Sequence, residues 1–552
     1  MRSGSLIAIA LFAACSVQAA PATRLAWLQG DETIALQRSG EGAQPLASLP
    51  RTPLGSIWKL FVHGYLEARG VQEPAYRCEA VQRLPDDDYC CDPGASVGRD
   101  EALARSCGPY FEPKRLALSP DDWARFWREQ QAPAWLQRLD AMQPGTEVAL
   151  PELLQALRHV PASSRLAARQ ALLPSATRDA AVLAALGGGP RYKTWSWRVD
   201  GERAGGAAGW LADGTPFWFG AAGTSRTALQ SQAAWVARQW SAHGLAAPRA
   251  DAAALAAQPC IDVRFFQRYP IRAVLRADGS EAPAGPLNGR HRIAFRNGTQ
   301  LPVDAVPALQ LRLERDGPVI DARLPLEDYV ARVVDREGRA TELEAARALA
   351  IAARTYVLQN APQAEACRQI ADDSRTQRVS PNPPSEAARA AAAFTDGLVV
   401  AGAVVRYHRD QASPGVLSWQ AAVTASRRGD GFETILRTAW PGMTLAGAQA
   451  AADCEAVPQA HDWLLQRQQR WRELLRREAG YQPLGPELRV CQLAMGTPHS
   501  DQRRLEIRVR EWLSREGRVT LIHEYLHLAF RDHPRGQDEA YIEQLAQRLA
   551  DS

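Results

Sequence analysis

After its first twenty residues the chain lacks any stretch approaching the roughly 18 uninterrupted apolar residues of a membrane-spanning helix, so the sequence predicts no such span there. An excess of one charge is missing too. Lysine and arginine number 65 against 61 acidic residues, with no basic block, and that balance argues against a nucleic-acid partner. Repeats of fixed period and low-complexity linkers are absent, which excludes a solenoid or a disordered chain. At 552 residues the chain exceeds one hydrophobic core, and about three domains are expected.

What is present begins with an export signal. Arg2 precedes an apolar run, Leu6 to Val17, that closes in Gln18-Ala19-Ala20, the layout of a cleaved leader over residues 1–20. Phe12-Ala13-Ala14-Cys15 also suits lipid attachment, although the apolar run continues past Cys15 and favours ordinary cleavage. The expected location is periplasmic or secreted, either soluble or anchored by a lipid on Cys15. Eight later cysteines group as four (Cys78, Cys90, Cys91, Cys107), two (Cys260, Cys367) and two (Cys454, Cys491). Even counts in an exported chain predict disulfides. Cys260 with Cys367 and Cys454 with Cys491 respect domain limits, whereas pairing within the first four stays open. Together with the Ala- and Pro-rich stretch from Ala246 to Pro259, this grouping predicts a multidomain α+β protein with units over 21–250, 258–430 and 436–552.

In the first unit, Gly55-Ser56-Ile57-Trp58-Lys59 opens an apolar helical run, which places Ser56 and Lys59 one turn apart on one face. A serine hydroxyl becomes a useful nucleophile when an amine within hydrogen-bond reach takes its proton. The alternative is a helix start with a surface lysine. Further along stand Ser106-Cys107-Gly108, Tyr192-Lys193-Thr194-Trp195 and a glycine- and tryptophan-rich stretch from Gly209 to Gly220. This layout resembles the penicillin-binding transpeptidase and serine beta-lactamase superfamily. The resemblance implies acylation at Ser56 with Lys59 as base, a proton relay at Ser106, and Lys193 and Thr194 holding the substrate carboxylate. Gly108 stands where that family has an amide, and Trp195, where it has a glycine, is expected to crowd an incoming peptide strand.

In the second unit, Leu324 to Glu337 reads as a helix with Leu326, Tyr329, Val330, Val333 and Val334 on one apolar face and Gly338 as its stop. Glu337 shares that face at the helix's negative end, and both conditions oppose ionisation. A carboxyl kept protonated is what a general acid needs. Thr341-Glu342-Leu343-Glu344 reads as a capping box for an Ala-rich helix. These blocks, with Ala352-Ala353-Arg354-Thr355-Tyr356, Asp373-Ser374-Arg375-Thr376-Gln377 and Tyr407-His408, resemble the stage II sporulation protein D (SpoIID) family from about Val263 to Gly415. The resemblance implies an α/β domain and a lytic transglycosylase, in which Glu337 protonates a glycosidic oxygen of peptidoglycan and then assists attack by the sugar's own hydroxyl. Arg409 to Pro414 replaces the family's serine- and glycine-rich turn. A buried glutamate satisfied by backbone donors is the alternative.

The third unit carries His523-Glu524-Tyr525-Leu526-His527 within a helix expected over Thr520 to Asp532, after a strand through Leu505, Ile507 and Val509. Two imidazoles at i, i+4 can hold one zinc ion while Glu524 takes a proton from water. The pattern resembles zincins and implies a small metallopeptidase-like domain. Glu539, on a helix after the turn at Pro534-Arg535-Gly536, is the preferred third ligand, with His533 second.

Across its length the chain resembles a family of exported bacterial multidomain proteins associated with alpha-2-macroglobulin-like envelope proteins, which implies such a partner besides peptidoglycan glycan strands and stem peptides. The leading expectation is a wall-modifying enzyme. A non-catalytic envelope scaffold and a zinc peptidase alone are the alternatives.

Overall fold

The computed structural model describes residues 22–551 except 80–89, 92, 200, 246–258, 307, 365, 409, 411–412, 452–453 and 494–497. The leader, Cys15, most of the Ala246–Pro259 stretch, and part of the 409–414 segment lie outside the described residues.

Strand β1 (Arg24–Gln29) has almost no polar residue because the sheet it joins is covered on both sides. Leu25 and Trp27 enter one core, and Ala26 and Leu28 enter the other. Its companions are β2 (Glu32–Ser39), β3 (Gly42–Pro45), β4 (Arg191–Val199), β5 (Glu202–Trp210) and β6 (Pro216–Ala222), in the antiparallel order β3-β2-β1-β6-β5-β4. Helix α1 (Trp58–Arg69) and α2 (Ala162–Ala176) lie on one face, and α3 (Ser225–Ala242) covers the other. Strand β4, which carries Lys193, is the sheet's edge.

The second sheet is built from β7 (Cys260–Phe265), β11 (Leu309–Glu314), β12 (Gly317–Pro325) and β13 (Cys367–Ala371), with short end strands at Gly285–Pro286 and Gln363–Ala364. A three-stranded sheet of β8 (Ile271–Arg276), β9 (Gly289–Phe295) and β10 (Gln300–Ala305) packs against it. Strand β12 runs directly into α4 (Leu326–Glu337), and the nearly all-buried α5 (Leu343–Asn360) follows. The small side chains of Ala345, Ala346, Ala348, Ala350, Ala352 and Ala353 let neighbouring elements approach α5 closely. The expected capping box does not form. The helix begins at Leu343 with no side-chain cap, because Glu344 is taken by Arg347 and the Phe432 N–H, and Glu342 by Arg427. The middle core continues through α6 (Trp419–Arg427) to Ala451, past the limit expected near 430, since Phe432, Leu436, Trp440 and Met443 bury against it.

A third core surrounds β14 (Arg489–Gln492), β15 (His499–Asp501) and β16 (Glu506–Val509), ordered β14-β16-β15, with α7 (Arg515–Ala529) and α8 (Glu539–Ala550). Disulfides join Cys260 to Cys367 and Cys454 to Cys491, and the first group pairs as Cys78–Cys91 and Cys90–Cys107.

The units are docked, not strung. Gly188 N–H donates to Phe394 O at 2.6 Å. A Cβ on Gly187, Gly188 or Gly189 would meet Phe394, Leu398 or Ala393 at 2.5–2.8 Å, an approach only glycine permits. Arg191, on β4, donates to Asp396 O at 2.8 Å. Arg508 joins the third unit to the second through Gln359 O at 2.9 Å. Among the described residues, no helix is long and apolar enough to cross a membrane.

Candidate functional sites

Ser56 lies in the 3-10 turn that leads into α1, and Lys59 on the first turn of the helix points back to it. Lys59 Nζ is 3.2 Å from Ser56 Oγ and 3.1 Å from Ser106 Oγ, and donates to Ser106 O at 2.6 Å. One buried amine thus bridges both expected hydroxyls. Ser106 has φ 60°, a left-handed conformation that costs a non-glycine residue energy, and the Cys90–Cys107 disulfide fastens the next residue. Gly108 sits over the amine, its absent Cβ 3.8 Å from Lys59 Nζ. An amide there would reach the amine; glycine leaves that side open. Strand β4 abuts the Ser56 turn, because a Cβ on Gly55 would stand 3.1 Å from Trp195 Cβ. Lys193 is buried and Thr194 half-buried on this edge strand. Trp195 does not jut into the path of a peptide as expected. Its ring stacks on Trp218 and donates to Phe219 O at 3.1 Å, because as an inward-facing neighbour of Lys193 it belongs to the core. One compositional signal went unread: the chain's lysines are Lys59, Lys114 and Lys193. In a protein that otherwise uses arginine for its cations, two of the three are buried at this site. An amine can give up its proton there, whereas a guanidinium cannot.

The SpoIID-like blocks hold one another in place. Glu327 of the first pairs with the fully buried Arg354 of the second, which also donates to Leu398 O at 2.9 Å. Arg332, 2% exposed, donates to the carbonyls of Pro381 and Asn382 at 3.0 and 2.9 Å. That clamp fixes the 372–382 loop against α4, so that the Arg378 N–H reaches Glu337 Oε1 at 2.7 Å. Glu337 is the last residue of α4 and half-buried. Burial raises its carboxyl above the usual range, and the Arg378 N–H opposes this. Four residues to which the sequence assigned no chemical role complete the setting. Tyr329 donates to Gln377 Oε1, and Gln377 Nε2 is 2.7 Å from the Tyr407 hydroxyl. Burial pushes both phenols up, and both feel the Glu337 charge. Asp372, held by the Val379 N–H at 2.9 Å, is a second carboxyl raised by burial that interacts with Glu337. Only the outline was available in advance: Tyr329 read as an apolar-face residue, and Asp372 precedes the quoted block by one position.

In the third unit His523 and His527 share one face of α7, which begins earlier than expected at Arg515, capped by Ser514. Their Nε2 atoms are 3.0 Å apart, and Glu539 from α8 approaches them at 3.3 and 3.6 Å. The ligand atoms of these three residues all lie within 4.8 Å of one another. The remaining imidazole nitrogens are satisfied, His523 Nδ1 by Glu543 at 3.0 Å and His527 Nδ1 by Gly536 O at 2.8 Å. His533 does not join them. It caps the turn at Pro534, its Nδ1 accepting from Arg535 N–H, and packs against Gly480. Glu524, 8% exposed, hydrogen-bonds Ser500 on the edge strand β15, and burial pushes its carboxyl up to about 7 against the opposing pull of His527.

Comparison with known proteins agrees with an exported chain. The family described as "Predicted secreted protein (DUF2300)" matches residues 82–204 and 415–535, and "Stage II sporulation protein" matches 318–401, a span that includes Glu337. Class D beta-lactamases from Sebaldella termitidis (13% identity, TM-score 0.28) and Fusobacterium nucleatum subsp. polymorphum (12%, 0.29) each align with 41% of this chain and with 91% and 93% of their own. The Escherichia coli K12 protein titled "Uncharacterized protein YfaQ" is 39% identical over 525 residues, 93% of each chain. With that relative so nearly co-extensive, the chain belongs to the YfaQ family of predicted secreted proteins.

Proposed function

We propose that the protein is an exported peptidoglycan-modifying enzyme whose principal reaction is non-hydrolytic cleavage of the glycan strand at Glu337. The observation that carries this reading is the placement of Glu337, half-buried at the negative end of α4 with its carboxyl raised, inside the segment that matches stage II sporulation proteins. Protonated, Glu337 gives its proton to the glycosidic oxygen as the bond to the anomeric carbon breaks. The resulting carboxylate then accepts a proton from the same sugar's hydroxyl as that oxygen closes on the anomeric carbon. Atoms balance without water, and the acid regains its proton. The buried phenols of Tyr329 and Tyr407 keep the surroundings poorly solvated, which favours the neutral form of the carboxyl. Digestion of purified glycan strands with the parent chain and with Glu337→Gln tests this: anhydro-ended products are expected from the parent alone.

The other two centres fit the same substrate. The amine bridging Ser56 and Ser106 suits recognition or acylation of a stem peptide. A zinc peptidase is the second reading, favoured by the His523, His527 and Glu539 group. Two nitrogens on one tetrahedral zinc lie about 3.3 Å apart, close to the 3.0 Å here, and both rings have the outer acceptors typical of metal-bound imidazoles. These residues fit the ion. Zinc bound there would polarise a peptide carbonyl; Glu524 would take the proton of an attacking water, and the edge strand β15, whose Ser500 meets Glu524, would align a peptide. Metal analysis of the purified chain against His523→Ala checks it.

A further inference from the structure

Glu337 is followed by Gly338, against which two side chains pack closely. A Cβ on Gly338 would lie 2.7 Å from Leu349 Cδ2 and 3.0 Å from the six-membered ring of Trp419. The indole is therefore wedged beside the residue next to the acid. From there a groove of about 320 Å³ opens, lined by Arg339 and Glu342 on one side and by Trp419, Gln420, Val423, Thr424 and Arg427 on the other. The second set recurs at helical spacing on α6, so the wall is one continuous helix face. Trp419 remains half-exposed although it is among the largest side chains on α6.

We propose that this groove is a saccharide subsite, seating one sugar ring of a glycan strand on the Trp419 indole and steering a carboxylate carried by that strand with Arg339 and Arg427. A pyranose presents an apolar C–H face and a rim of hydroxyls. An indole flanked by an amide and a hydroxyl, here Gln420 and Thr424, answers both. Arg339 and Arg427 line the groove with Glu342, and Asp410 stands at its rim accepting from Gln420 Nε2 at 2.9 Å; the two guanidiniums suit a lactyl or peptide carboxylate by direct pairing, not through a net positive charge. Arg427 bonds Glu342 across the groove, its side chain 67% exposed and that of Glu342 19%. The guanidinium therefore keeps an open side at which a ligand carboxylate can pair with it.

The assignment rests on the reading of Glu337 for which polymer is bound, but binding requires no cleavage. The test therefore uses the full chain carrying Glu337→Gln, titrated with carboxylate-bearing glycan oligomers from peptidoglycan and with neutral N-acetylglucosamine oligomers. Trp419→Ala is expected to weaken both by about tenfold or more, and Trp419→Phe by no more than about threefold. Arg427→Gln is expected to weaken the carboxylate-bearing oligomers about fivefold at low salt and to leave the neutral ones unchanged. Because Trp419→Ala removes packing beside Gly338, Gln420→Ala with Thr424→Ala, both on the solvent side of α6, serves as the second variant and is expected to weaken both ligands. Unchanged affinity in Trp419→Ala, in that double variant and in Arg427→Gln overturns the subsite. Tight, Trp419-dependent binding without cleavage by the parent chain would sink the transglycosylase reading and leave the subsite standing.

Discussion

Glu337 and Glu524 are the same residue type, each on a helix and each raised by burial, yet their surroundings differ and the duties proposed for them are opposite. Glu337 ends its helix, meets one backbone N–H, and faces two phenols and a second carboxyl. Beyond the Arg378 backbone and nearby arginines nothing in that set rewards a negative charge, so the carboxyl is held above its usual range, the direction the proposed acid needs. Glu524 sits beside His527 with Ser500 donating to it, surroundings that favour ionisation once a cation is present. Burial alone does not assign a role; the partners that remain after burial do.

Exchanging each glutamate for glutamine breaks the comparison most sharply. Glu337→Gln is expected to lower the rate of anhydro-product release by about 10³, while Glu524→Gln leaves it within about twofold. Equal losses would erase the distinction. Next in size is the metal. His523→Ala should abolish zinc retention, and Glu543→Gln, which removes the charged acceptor on His523 Nδ1, should weaken affinity by about tenfold to a hundredfold, as read by competition with a chromogenic chelator. In the first unit, Ser56→Ala should eliminate covalent labelling by a fluorescent penicillin and leave glycan cleavage intact; labelling that survives this change would place the nucleophile elsewhere.

The smallest effect is on stability. With its carboxyl raised in the folded chain, Glu337 binds its proton more tightly folded than unfolded. Below the ordinary glutamate pKa near 4.5 both states are protonated and nothing is lost. As pH rises above that value, the unfolded chain ionises first, and the folded state loses stability until the folded carboxyl also ionises. The melting temperature of Glu337→Gln should therefore gain on the parent between pH 4 and 7, by on the order of 2 °C. A gain of the same size for Glu337→Gln at pH 3.5 would show that packing, not charge, is responsible.

Much of each site was legible because its residues are neighbours in sequence. Ser56 and Lys59 are one helical turn apart, as are His523 and His527, and Glu337 follows from the apolar period of its own helix. The misreadings were long-range. Thr341 to Glu344 has the composition of a capping box, yet Arg427 and the Phe432 N–H, far along the chain, claim the two glutamates. Trp195 looked like an obstruction because only its neighbours in sequence were visible, not Trp218. His533 already ranks behind Glu539 as a third ligand in the sequence, and the turn at Pro534 sends its ring to Gly480.

By itself the sequence determined the mixed α and β content, the even cysteine groups and the local spacing of three chemical motifs, all of which depend on backbone periodicity and composition. Only the tertiary structure decided that Arg332 and Arg354 brace the blocks around Glu337, that Asp372, Tyr329 and Tyr407 surround that acid, and that Glu539 rather than His533 meets the two imidazoles. It also decided that Gly187 to Gly189 fasten the first unit to the second. Those choices depend on side chains separated by tens to hundreds of residues competing for the same buried hydrogen-bonding groups, and a buried polar group left without its partner costs more than any local propensity returns.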